Sequence, residues 1–298
     1  MIIPNRRDPE PGGKASLAME AANNLARRAA SAVVLGPVAI VAAYLGGWIF
    51  VAACTIVAGL VLWEWTSLVA RRADVRILAP GLAALLIAAA FTRQGEPVLA
   101  IAALAVGALF AEALVTALPR ASPVAIPAGW TATGVIYSGI GFIGPAVLRS
   151  DPVMGFAALL FLFATVWATD VLAYLIGRSV GGPLLWPQLS PKKTWAGALG
   201  GLAGGLVAGS LVAYASAGTK PLVAGILALV LSIAAQGGDL LESWVKRRFG
   251  AKDAGALIPG HGGMMDRVDG FLAAGLLALL IGSLRLGMAA SARGLLVW

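Results

Sequence analysis

Apolar residues run along this chain in long blocks rather than in alternation. The blocks fall at about 31–46, 48–69, 78–92, 98–118, 128–148, 154–177, 195–217, 221–238 and 270–290. A helix that crosses a bilayer needs about 20 apolar residues. The pattern therefore predicts an all-α, polytopic integral membrane protein with about nine transmembrane helices. Pro37, Pro80 and Pro145 sit near block ends, where a missing N–H matters least. The fifth block carries Thr131, Thr133, Tyr137 and Ser138, so it is expected to face other helices.

Three regions follow. Residues 1–30 are polar and mixed in charge, and read as a cytoplasmic arm rather than a cleaved signal. Residues 31–150 read as plain membrane helices with short connections. Residues 151–298 read as membrane helices that also carry two polar loops, 178–194 and 236–269.

Composition narrows the class. Apolar residues make up 59% of the 298 positions and charged residues 12%, against roughly 25% charged in a soluble domain. Too few charges remain to cover a water-facing surface, which excludes a soluble enzyme, a disordered chain and a compact nucleic-acid module. One cysteine, Cys54, and one histidine, His261, exclude an intrachain disulfide and a Cys/His metal site. The net charge of +8 has a topological explanation. With the N-terminus inside, 17 of the 22 Lys/Arg fall on cytoplasmic segments, four on the other side, and Arg285 within the last block. That asymmetry obeys the positive-inside rule and puts both polar loops on the cytoplasmic face. The excess is not a nucleic-acid footprint.

The loop at 236–269 holds five acids, Asp239, Glu242, Asp253, Asp266 and Asp269, and five bases, Lys246, Arg247, Arg248, Lys252 and Arg267. A solvated, salt-bridged loop is the plainer reading. Ionised groups near membrane depth are usually functional, however, and a metal nucleotide needs both signs: carboxylates for Mg²⁺, Lys/Arg for phosphate oxygens. Asp239 with Glu242, and Asp266 with Asp269, are i,i+3 pairs, and Asp239 and Ser243 are i,i+4; a helix puts each set on one face. Two facing acid pairs would make a divalent-ion cage. Between them Pro259-Gly260-His261-Gly262-Gly263 is a glycine-rich turn that could approach a phosphate closely, or be a turn and no more.

The other loop reads Ser190-Pro-Lys192-Lys193-Thr194-Trp195, with Lys192 to Thr194 expected to open a helix and form an anion site. The P-loop pattern GxxxxGK[ST] is absent. Asp170 lies about two turns inside its span, where it needs a partner, such as Arg178, or a wet cavity. Glu64 and Glu112 read as packing or helix-contact residues, Glu64 near the interface.

At 243–269 the order S-x-V-K-R, K-D-x-G, P-x-H-G-G, D-R-V-D resembles the signature of phosphatidate cytidylyltransferases (CDP-diacylglycerol synthases). The residues that carry it are Ser243, Lys246, Arg247, Lys252, Asp253, Gly255, Pro259, His261, Gly262, Gly263, Asp266, Arg267 and Asp269. Gln236-x-Gly238-Asp239-Leu240-x-Glu242 and Ser190-Pro-Lys-Lys-Thr-Trp-x-Gly197 extend the resemblance, which covers about 165–270. Ala196 departs from it, because the family often has Glu there.

The resemblance implies a nucleotidyltransferase of phospholipid biosynthesis: CTP plus phosphatidic acid gives CDP-diacylglycerol plus pyrophosphate. It implies Mg²⁺ as cofactor, a second cation being left open, and a homodimer in the bacterial inner membrane. Asp239, Asp266 and Asp269 are the expected metal ligands. The catalytic set adds Lys246, Arg247, Lys252, Asp253, His261 and Arg267. Asp170, Ser190, Lys192, Lys193, Thr194, Ser243, Gly262 and Gly263 are expected to bind substrate. Competing readings are a CTP-dependent lipid kinase, which would move the γ-phosphoryl group, and a secondary transporter, which would carry broken helices in matching halves.

Overall fold

The computed structural model describes residues 34–118, 125–255 and 262–298. The 1–30 arm, Pro259, Gly260 and His261 lie outside the described residues.

Among the described residues the chain is helical apart from one hairpin. A short apolar helix, α1 (Val34–Leu45), precedes eight helices long and apolar enough to cross a membrane: α2 (Gly47–Ala70), α3 (Val75–Gln94), α4 (Pro97–Ala117), α5 (Trp130–Ser150), α6 (Gly155–Val180), α7 (Trp195–Ala217), α8 (Pro221–Arg248) and α9 (Met265–Leu286). The hairpin, β1 (Leu184–Trp186) and β2 (Ser190–Thr194), lies between α6 and α7, and a short α10 (Ser291–Leu296) follows α9.

Several boundaries differ from the hydropathy pattern, among them the start of α9, at Met265 rather than 270. The eighth helix does not stop at 238 but continues to Arg248, so the first part of the expected polar loop is helical. Glu and Lys are good helix formers, and Glu242 pairs with Lys246 one turn on. Lys192 and Lys193 do not open a helix. They lie in β2, and α7 starts at Trp195 with Thr194 as its N-cap, the Thr194 hydroxyl accepting the Gly197 N–H at 3.1 Å.

Side-chain acceptors fix the starts of α3, α5 and α6. Asp74 accepts the Arg76 N–H at the start of α3. Glu112 reaches from α4 to accept N–H groups of Gly129 and Ala132 at the start of α5, the helix contact expected of it. Asp151 accepts the Val153 and Met154 N–H groups before α6 and pairs with Arg293 at 3.1 Å.

The helix α5 is the central one. About 72% of its apolar stretch is buried inside the protein, against 28% for α4, which agrees with its polar composition. It packs on α2, α4 and α9. On the other side, α6 and α7 meet along Gly197, Gly201, Gly205 and Gly209, a four-residue repeat of small residues that lets two membrane helices approach. The pair α8 and α9 sits between these two groups.

Candidate active site

The charged residues converge at one end of the bundle, where α2, α6 and α8 finish and α5, α7 and α9 begin. The centre is built on the α8–α9 contact. A Cβ at Gly238 would lie 2.5 Å from the Asp269 carbonyl oxygen, so only glycine permits this approach. Asp239 and Asp269 are thereby brought together, with Glu242 one turn along α8. One carboxylate oxygen from each of Asp239, Glu242 and Asp269 lies within 4.8 Å of the others.

Lysines flank this cluster. Lys193, from β2, forms an ion pair with Asp239. Successive strand residues point to opposite faces, so Lys192 does not share this contact and is exposed. Ser190, at the start of the same strand, is half-buried. On the other side, Lys246 lies 2.5 Å from Glu242 and also pairs with Asp266. The Asp266 carboxylate further accepts the N–H groups of Gly263 at 2.7 Å and Ala254 at 3.2 Å. Of the expected cage, then, Asp239 and Asp269 meet each other and Glu242, while Asp266 faces Lys246 and the backbone turn.

Asp170, in α6, feels the charges of Asp239, Lys193 and Arg267. Arg178 is no partner for it, because Arg178 donates instead to the Tyr174 hydroxyl at 2.9 Å. Ser243 is half-buried on α8. Arg247 closes the end of α8 by donating to the Ala251 carbonyl at 3.1 Å. Lys252, Asp253 and Arg267 are exposed at the mouth. Gly262, at φ +79°, adopts a backbone that L side chains rarely take, beside Asp266 and Asp253.

Glu64 is the residue whose partner the sequence did not reveal. It is 1% exposed and makes the helix contact expected of it, its two oxygens accepting the Met264 and Met265 N–H groups at 2.7 Å each. It thus caps α9 from 200 residues away. A Cβ at Gly263 would come within 2.5 Å of its carboxylate, so the glycine makes room for this anchor. An acid inside a hydrophobic span was the available signal, but nothing in the sequence named its partner.

The donor set suits a hard divalent cation. All three clustered groups are carboxylates, and the buried Glu242 Oε1 has no hydrogen-bond partner. Around it, Asp170, Asp239, Glu242, Asp266 and Asp269 face Lys193, Lys246 and Arg267.

Fold and site together define an integral membrane protein with a cluster of carboxylates that could hold a metal ion, flanked by lysine side chains. The model of the cytidylyltransferase family matches residues 26–284, and the chain belongs to that family. It is 41% identical over 266 residues to a phosphatidate cytidylyltransferase of Brucella abortus biovar 1 (strain 9-941), covering 88% of this chain and 94% of that one. It is 42% identical over 139 residues to a phosphatidate cytidylyltransferase of Staphylococcus haemolyticus (strain JCSC1435), covering 46% of this chain and 52% of that one.

Proposed function

We propose that the chain transfers the cytidylyl group of CTP to phosphatidic acid, giving CDP-diacylglycerol and pyrophosphate. The observation that carries this reading is the Asp239–Glu242–Asp269 cluster with Lys193 and Lys246 on either side, in a chain of the cytidylyltransferase family. A phosphate oxygen of phosphatidic acid bonds to the α-phosphorus of CTP. The bond from that phosphorus to the bridging oxygen of the β-phosphate breaks, and the electron pair leaves with pyrophosphate. The nucleophile is already an anion, so no serine or histidine base is required.

What the protein supplies is position and charge. Asp239, Glu242 and Asp269 would hold Mg²⁺. When bound, the ion offsets the charge of the triphosphate and of the departing pyrophosphate. Asp266 orients Lys246 and closes the turn at Gly263. Lys192, Lys193, Arg247, Lys252 and Arg267 meet phosphate oxygens as the two anions approach. Asp170 adds a further acid beside Asp239 and Lys193. The 17-to-4 distribution of basic residues supports a site that opens to the cytoplasm from the bacterial inner membrane. A second copy of the chain is the expected assembly.

Purified protein with Mg²⁺, phosphatidic acid and CTP labelled at the α or the γ position tests this. The expected result is α label in the lipid with release of pyrophosphate. Transfer of γ label would make the protein a lipid kinase, and no transfer beside an active control would remove the reading.

A further inference from the structure

A second feature adjoins the carboxylate cluster. Trp65 of α2, Trp130, Thr133 and Tyr137 of α5, and Leu241, Trp244 and Val245 of α8 line a cavity of about 230 Å³. Its walls are aromatic. Trp65 stacks on Trp130 at 5.9 Å, Trp130 lies 5.8 Å from Trp244, and Trp65 lies 5.2 Å from Tyr137. The Trp65 indole N–H is satisfied by the Trp130 carbonyl at 2.9 Å. The Tyr137 hydroxyl, by contrast, is buried with no hydrogen-bond partner. It lies in the field of Asp239, Glu242, Asp266 and Asp269. A buried donor in that position calls for an acceptor that arrives with a ligand.

The cavity and the charged centre share α8. Leu241, Trp244 and Val245 are interleaved in sequence with Glu242 and Lys246, so one helix offers apolar contacts on one face and charge on the next. Leu241 and Trp244 are 49% and 45% exposed, which leaves the groove open on its outer side among membrane helices. Tryptophan and tyrosine favour the zone between headgroups and chains.

We infer that this groove takes the glycerol-ester end and first acyl carbons of the lipid substrate, with the Tyr137 hydroxyl donating to an oxygen at its polar end. The inference rests on the proposed reaction, which must bring a lipid phosphate to the cluster while its acyl chains stay in apolar surroundings. A stacked cytosine fits less well. Among the described residues, Thr133 and Tyr137 are the only polar side chains lining it besides the indoles, and reading a base needs a set of placed donors and acceptors.

Two measurements on the full chain in nanodiscs test it. Phosphatidic acid with a diazirine on an early acyl carbon is photolysed, and adducts are mapped by mass spectrometry. Adducts at Trp65, Leu241 or Trp244, removed by excess phosphatidic acid but not by phosphatidylcholine, are expected. Adducts spread over outer faces such as α4, without competition, would overturn the inference. In kinetics, Leu241→Trp and Thr133→Leu, which narrow the groove from two walls, should each raise KM for phosphatidic acid roughly tenfold and leave KM for CTP within about twofold. Tyr137→Phe keeps the groove and should lower kcat/KM for the lipid roughly tenfold. An unchanged lipid KM, or a rise in KM for CTP alone, would contradict the inference. Competed adducts in a wild-type protein that makes no CDP-diacylglycerol would sink the proposed reaction and leave the groove as a lipid site.

Discussion

Replacing Glu64 by alanine removes an anchor that two halves of the chain share. The Glu64 carboxylate accepts two N–H groups, of Met264 and Met265, at 2.7 Å each, and is 1% exposed. Alanine leaves both donors buried without an acceptor. Each unsatisfied buried group costs about 1–3 kcal/mol, so the change should destabilise by about 2–6 kcal/mol. For a chain of this size that lowers Tm by about 3–10 °C. The first turn of α9 also carries Asp266, and Asp269 follows within one turn. Loosening it should raise the Mg²⁺ concentration needed for half-maximal rate by at least about tenfold. Glu64→Gln keeps one acceptor and should fall between wild type and alanine on both scales. Scanning fluorimetry in detergent and a Mg²⁺ titration of product formation provide the readout. A Glu64→Ala protein with wild-type Tm and wild-type Mg²⁺ dependence would refute the reasoning.

Lys246→Met should be more damaging than any surface lysine change, because it leaves Glu242 and Asp266 facing each other without their shared cation. Breaking a buried pair costs about 3–5 kcal/mol, and unfolding in detergent measures it; Lys252→Met, at an exposed position, serves as the comparison. Acid stability should depend on Asp74. The hydrogen-bonded Arg76 guanidinium, against the cost of burial, holds the Asp74 carboxyl below the ordinary aspartate range. Its stabilisation is therefore present above the unfolded value of about 3.9 and is lost as pH falls through the lower folded value. Asp74→Asn should lower Tm at pH 7, and the gap to wild type should narrow as pH falls through that lower folded value. Orientation is tested with a cysteine at position 252 or 220: an impermeant maleimide should label Lys252→Cys in inverted vesicles and Lys220→Cys in right-side-out cells. The reverse pattern would overturn the topology.

Much of this architecture is legible because bilayer thickness fixes span length. The apolar blocks at 48–69 and 98–118 correspond closely to α2 and α4. Side-chain spacing was equally informative for Asp239 and Glu242, which do share a helix face. Local rules fail where the decisive partner is distant. Whether Asp266 faces Asp239 or Lys246 depends on how α8 and α9 pack, and the cap from Glu64 to α9 crosses 200 positions. The hairpin was missed for another reason. Pro191 before two lysines and a threonine looks like a helix start, yet a fixed φ and a missing N–H suit an edge strand equally well. Thr194 is the actual cap, so Lys192 and Lys193 precede the helix on β2 rather than open it.

Cation binding at the α8–α9 contact is the point on which the mechanism turns. Mn²⁺ binding followed by electron paramagnetic resonance, on wild type and on the Asp239→Asn/Asp269→Asn double variant, measures it without turnover. The expected result is a bound Mn²⁺ that the double variant loses, while its helical circular dichroism stays unchanged. Equal Mn²⁺ affinity in the two folded proteins would contradict the assignment.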